Sequence, residues 1–206
     1  MSTATYPPGG TIVQTLKRTY SDVPVDEANG NAVSTTEFLE ASEAMTTIFD
    51  AIGGVAFGPV KKDILSNIEK LRARQAAAPA ESGNIQDLCR NELKTKKHVA
   101  TEGALWLIRG LDFTCQALVR NVANPSEELA DSFRTSYAET LKPHHSFLVK
   151  PIFSAAMSAV PYRKDFYAKL GETPELVQTE LDAYLAAFTR VVNILKEFIN
   201  SKEAKW

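Results

Sequence analysis

The sequence predicts one all-α domain of about seven or eight helices, spanning residues 1–206, and three observations carry that prediction. Apolar residues recur at helical spacing in segment after segment, as in Val60, Ile64, Ile68 and Leu71. Alternating runs are short, so no series of strand hairpins is expected. Pro143, Pro161 and Pro174 each fall near a predicted helix start or boundary, where proline is tolerated. With 44% hydrophobic and 23% charged residues, the chain has the composition of a globular domain, which excludes wholesale disorder and fibrous repeats. Lys and Arg total 23 against 25 Asp and Glu, a net charge of −2 that argues against a nucleic-acid partner.

Taken in order, residues 1–10 are rich in Pro and Gly and are expected to be mobile. Ile12, Val13, Leu16 and Tyr20 fit one face of a short helix, and residues 21–31 read as a polar connection. Ser34 stands three residues before Glu37, as in a capping box, and opens a helix whose buried stripe is Phe38, Leu39, Met45, Ile48 and Phe49. Gly53-Gly54 bends the chain, and Pro59 suits the first turn of a helix running to about Gln75. Residues 85–120 read as one helix or two, broken near 94–97 or at Gly103. Further helices are expected at about 126–141, 144–159, 162–169 and 174–201, with Pro151 kinking the one that contains it.

Several function classes find no support. The first residues have neither the basic start nor the apolar core of a secretory signal, and no window approaches the ~20 apolar residues of a membrane span. Cytoplasmic location is therefore expected, with Cys89 and Cys115 reduced and buried. Phosphate loops, nucleophile elbows and H-E-x-x-H motifs are missing, so neither an enzyme nor a cofactor is expected. His98, His144 and His145 are the only histidines; adjacent His144 and His145 would diverge on a helix, so no metal site is expected.

Two segments carry the chemistry. Asp63, Asn67 and Lys70 stand at i, i+4 and i+7, a polar strip bordering the apolar stripe Val60, Ile64, Ile68 and Leu71. Spacing alone is equally that of any amphipathic helix. As a site, the strip would offer a carboxylate, an amide and an ammonium to a polar head while a tail enters the core. Trp106 and Arg109 share a face of a second helix, and an indole is a platform for the apolar face of a sugar ring as well as an ordinary core anchor.

Together, Asp63-x-x-x-Asn67-x-x-Lys70, Trp106-Leu-Ile-Arg-Gly110 and His144-His-Ser-Phe-Leu-Val149, followed by Ala159-Val-Pro-Tyr162, resemble the glycolipid transfer proteins, most closely filamentous-fungal members of the heterokaryon-incompatibility type. The resemblance runs from about Glu37 to the end of the chain. It implies a two-layer helical sandwich enclosing an apolar lipid pocket, and non-enzymatic transfer of glycosphingolipids between membranes. It also implies that Asp63, Asn67 and Lys70 hold the first sugar, that Trp106 stacks on it, and that His145 binds the ceramide amide carbonyl. Arg109 would orient this site. The implied tail lining is Phe49, Ile52, Phe57, Val60, Phe113, Phe153, Phe166, Tyr184 and Phe188.

A phosphate head would call for several converging Lys and Arg groups, as in the ceramide-1-phosphate branch, whereas an uncharged amide beside an indole favours a neutral sugar. A phosphosphingolipid carrier and a glycolipid sensor that signals through a partner are the alternatives. Membrane contact is expected to be peripheral and transient, through Phe147, Pro151 and Tyr162 with nearby Lys142, Lys150, Arg163 and Lys164. Phe147 stands where the family usually carries Trp, and Ser146 where Gly is usual. Whether Trp206 covers the head site is open, and a monomer is expected.

Overall fold

The computed structural model of the chain describes residues 6–55 and 57–206. Among them are nine α-helices: α1 (Thr35–Met45), α2 (Ile48–Gly53), α3 (Gly58–Ala77), α4 (Ile85–Lys94), α5 (Val99–Ala123), α6 (Leu129–Glu139), α7 (Lys150–Ser158), α8 (Arg163–Leu170) and α9 (Pro174–Asn200). The all-α class is as the periodicity requires. The count exceeds the expected one because α2 is separate from α1, and because the long apolar segment breaks at residues 95–98, leaving Gly103 inside α5.

Helix α5 runs through the centre, packed against α3, α4, α6 and α9. Its face of Ala104, Leu107, Ile108 and Leu111 is buried, as are Val60, Ile64, Ile68 and Leu71 of α3. Close approach of the two helices depends on glycine. A Cβ added at Gly103 would lie 3.2 Å from Lys70 Cβ and Cδ, and one at Gly110 would lie 3.5 Å from Ile64 Cγ1. These contacts set α3 antiparallel to α5 and bring Trp106 level with the Asp63–Lys70 strip. The start of α5 lacks a side-chain cap from His98. Instead the buried Glu92 of α4 accepts from Ala100 N–H (2.9 Å), Thr101 N–H (2.7 Å) and Thr101 Oγ1 (2.8 Å).

Five local expectations are corrected. The stretch containing residues 21–31 is no simple connection: β1 (Val25–Asp26) pairs antiparallel with β2 (Ala32–Val33). The turn between them uses left-handed Gly30 (φ 63°) and Asn31 (φ 58°), conformations that these two residue types tolerate. The face of Ile12, Val13, Leu16 and Tyr20 forms two single 3₁₀ turns, Val13–Thr15 and Tyr20–Asp22, where a helix was expected. Ser34 forms no capping box, because its N–H donates to the Pro24 carbonyl and its hydroxyl meets the Glu37 carboxylate. Residues 144–149 are not helical, and Pro151 kinks nothing: it occupies the first turn of α7, where its missing N–H has no partner to lose.

Residues 1–5 of the segment expected to be mobile lie outside the described residues. Beyond them, the Tyr6 hydroxyl donates to the Ala168 carbonyl (3.3 Å) and Ile12 N–H to the Leu170 carbonyl (2.8 Å), tying this end of the chain to α8.

Candidate functional site

The polar strip of α3 forms a hydrogen-bonded chain. Lys70 Nζ donates to Asn67 Oδ1 (2.9 Å), and Asn67 Nδ2 donates to Asp63 Oδ2 (3.2 Å). Asn67 is buried by its contact with α5, so both ends of its amide are oriented before any ligand arrives. Asp63 opens to solvent at the rim, and surrounding protein raises its carboxyl above the usual range by desolvation, which the Lys70 charge partly offsets.

Across from this strip stands Trp106, half-buried. The Arg109 guanidinium lies 5.2 Å from the indole centroid, a cation–π contact that fixes the ring. Arg109 is held below its ordinary value by desolvation, and among the described residues it makes no ion pair. The His145 ring stacks near Trp106, with centroids 5.9 Å apart and planes at 24°. Desolvation, followed by the charges of His144, Lys150 and Arg109, pushes the His145 pKa down and favours the neutral ring. The Tyr137 hydroxyl lies 3.2 Å from His145 Nδ1. When Tyr137 donates to Nδ1, the neutral ring carries its proton on Nε2 and offers a single N–H donor.

From His145 an unbroken aromatic path leads into the core. Phe153 lies 4.6 Å from His145, 5.2 Å from Tyr137 and 6.0 Å from Phe113, centroid to centroid. Phe113 meets Phe133 at 5.5 Å, Phe133 meets Phe57 at 5.4 Å, and Phe57 meets Phe49 at 5.4 Å. Phe49, Phe57, Phe113 and Phe153 of the expected tail lining are thus contiguous, with buried Ile52 beside Phe49 on α2 and buried Val60 in the first turn of α3, just after Phe57. Tyr184 and Phe188 form a second aromatic cluster with Tyr20, whose ring stacks on Phe188 at 4.2 Å. Phe166 is buried on α8, which packs against α2.

Sequence reasoning missed Tyr137, Phe133 and Tyr20. Tyr137 and Phe133 are spaced i, i+4 on α6, which reads as any buried helical face, and no signal marked the hydroxyl as a partner of His145. Of the residues expected to meet a membrane, Phe147 (78% accessible), Tyr162 (73%), Pro151, Lys142 and Lys164 are exposed, whereas Lys150 and Arg163 are half-buried and the Arg163 guanidinium is held by Asn121. Leu148 and Ile152, not anticipated, add exposed apolar surface beside Phe147. Trp206 does not reach the Trp106 ring; it stacks on His98 at 5.1 Å. Cys89 and Cys115 are free and buried, and burial pushes their thiols up to about 12 and about 11. No helix among the described residues is long and apolar enough to cross a membrane.

Known proteins place this arrangement. The family profile described as glycolipid transfer protein matches residues 33–172. The glycolipid transfer protein of Aureobasidium melanogenum is 57% identical over 203 residues, covering 98% of this chain and 100% of that protein. Human pleckstrin homology domain-containing family A member 8 is 29% identical over 90% of this chain, which spans only 38% of that longer protein. The crystal structure of the fungal glycolipid transfer protein HET-C2 matches with a TM-score of 0.93 at 65% identity, covering 95% of this chain and 100% of that one. A structure of FAPP2, which selects simple glycosphingolipids with this fold, matches at 0.83 with 27% identity, over 95% of this chain and 98% of its own. Mouse ceramide-1-phosphate transfer protein shares the fold at 0.80 with 17% identity, over 92% and 95% of the two chains. By profile, sequence and architecture, the chain belongs to the glycolipid transfer protein family.

Proposed function

We propose that this protein carries glycosphingolipids with small neutral sugar heads between membranes, without a covalent step. The observation that supports this most is the chain from Lys70 through Asn67 to Asp63 beside the Trp106 ring. An amide held between a carboxylate and an ammonium presents paired donors and acceptors, matching adjacent sugar hydroxyls, while the indole covers the apolar face of the ring. A phosphate head would need several basic groups converging on one point, and this strip offers one, Lys70. The neutral His145 donor suits an amide carbonyl, and Asp63 would accept from the amide N–H.

The aromatic path from Phe153 to Phe49 is where the hydrocarbon chains would enter. Exposing roughly 30 methylenes to water at ~0.8 kcal/mol each costs on the order of 20 kcal/mol. An apolar interior removes most of that penalty, and its non-directional contacts tolerate a range of chain lengths. Phe147, Pro151 and Tyr162, with Leu148 and Ile152 beside them, would make the peripheral membrane contact during loading, the protein acting as a cytoplasmic monomer.

The test is transfer of a fluorescent glucosylceramide between vesicles by wild type, Asp63→Val and Trp106→Ala. Wild type transfers, and each variant loses more than ~90% of the rate, the scale of a lost charged hydrogen bond or ring platform, with an unchanged circular dichroism spectrum. Full transfer by both variants would remove the head site from the account.

A further inference from the structure

We infer a second membrane-contact surface, selective for anionic phospholipid, formed by the turn between α4 and α5 together with the segment that follows α9. It rests on the reading that the protein visits membranes, and it lies apart from the Phe147 loop.

Three contacts bring the two segments together. The Trp206 ring lies on His98, centroids 5.1 Å apart and planes at 13°. Arg90 of α4 pairs with Glu203 at 2.6 Å, and its guanidinium sits 5.2 Å from the Phe198 ring centroid. Ala204 is buried beneath them. The result places Lys202 and Lys205 beside Lys94, Lys96 and Lys97, and all five side chains are exposed. Among the described residues none of the five forms an ion pair. Lys96 presents its side chain from a left-handed backbone (φ 60°), a conformation that costs energy for any residue with a Cβ.

Charge balance favours an anionic surface. Nearby carboxylates are Glu102, Glu197 and the buried Glu92, which accepts from the start of α5, with Asp87 and Glu203 both taken up by Arg90. The lysines therefore outnumber the free carboxylates locally, in a chain whose net charge is −2. Trp206 remains 56% accessible, leaving indole surface for the interfacial zone of a bilayer. Point charges spread over an open turn suit an extended anionic plane, whereas a single soluble anion needs a closed, convergent site. Position fits the same use. His98 precedes Trp106 by about 12 Å of helix, and Trp106 meets His145, two residues before Phe147. The sugar site thus lies between an apolar contact and a basic one, and engaging both would orient its mouth toward the bilayer.

The test is sedimentation with vesicles of phosphatidylcholine alone and with roughly a third phosphatidylserine, a composition that carries a strong surface potential. The proteins compared are wild type, the triple variant Lys94→Gln, Lys96→Gln, Lys97→Gln, and Trp206→Ala. Wild type gains affinity on adding phosphatidylserine; the triple variant loses that gain ~tenfold or more, and Trp206→Ala loses part of it. Glucosylceramide transfer between neutral vesicles stays at the wild-type rate in the triple variant. An undiminished gain in the triple variant overturns the inference, as does an equal loss of transfer between neutral vesicles. Lysine-dependent binding in a protein that transfers no glycolipid would uphold this surface and refute the carrier reading.

Discussion

Glu92→Ala isolates the device that anchors the central helix. The Glu92 carboxylate accepts two buried backbone N–H groups, from Ala100 and Thr101, and the Thr101 hydroxyl, at 2.7–2.9 Å. These are donors that a helix start leaves unsatisfied, and His98 provides no side-chain acceptor for them. Leaving such a buried group without a partner costs roughly 1–3 kcal/mol. Partial relaxation and entry of water reduce the sum, so a net loss of about 3 kcal/mol is expected. For a chain of this size each kcal/mol moves Tm by about 2–4 °C, which gives a fall of about 6–12 °C. Glu92→Gln keeps one acceptor oxygen and should fall between wild type and Glu92→Ala. Differential scanning calorimetry measures all three. A Glu92→Ala protein melting within about 2 °C of wild type would refute the idea that this carboxylate holds the start of α5.

Three further outcomes follow from the same contacts. Tyr184 Oη is buried with no hydrogen-bond partner among the described residues, so Tyr184→Phe should raise stability by about 1 kcal/mol, and a lower Tm would contradict this. Gly103→Ala gains about 1 kcal/mol of helix propensity, but its Cβ crowds Lys70 at 3.2 Å and the Asn67 carbonyl at 3.4 Å. Its Tm should stay near wild type while glucosylceramide affinity drops about fivefold, the worth of one hydrogen bond; unchanged affinity in a binding titration would show that Lys70 is not needed where it stands. Burial lowers the pKa of His145 and of His144, each further depressed by Arg109. The unfolded chain then takes up protons first, so their contribution is fully present above the unfolded value near 6.5 and declines as pH falls below it. Melting curves between about pH 5 and 8 should show that decline, flattened in a His144→Asn, His145→Asn variant; an identical slope would remove these histidines from the account.

Much of the frame was readable in advance because it repeats or punctuates. Helical periodicity located α3, α5 and α9, and proline placed the starts of α3 and α9. Spacing put Asp63, Asn67 and Lys70 on one strip, and the three side chains do join in one hydrogen-bonded chain. What escaped depends on contacts between distant segments. Glu92 looks like any charged helix residue until α5 turns back over it. The Tyr137–His145 pair joins α6 to residues that local propensity assigned to the start of the next helix but that form a non-helical turn before α7. Tyr184 and Phe188 have Tyr20 as a ring neighbour because the 3₁₀ turns near the start of the chain fold against α9, a contact no local pattern shows. Asn29-Gly30 offered a hairpin signal within a stretch whose polarity suggested only a connection.

The central claim is that the site selects a neutral sugar and not a phosphate. Its most direct measurement is paired transfer by the wild-type protein, from the same donor vesicles, of glucosylceramide and of ceramide-1-phosphate with matched acyl chains. The account predicts rapid movement of the sugar lipid, with the phosphate lipid at least ~tenfold slower, the discrimination expected when a charged head lacks convergent basic partners. Equal rates, or movement of the phosphate lipid alone, would contradict it.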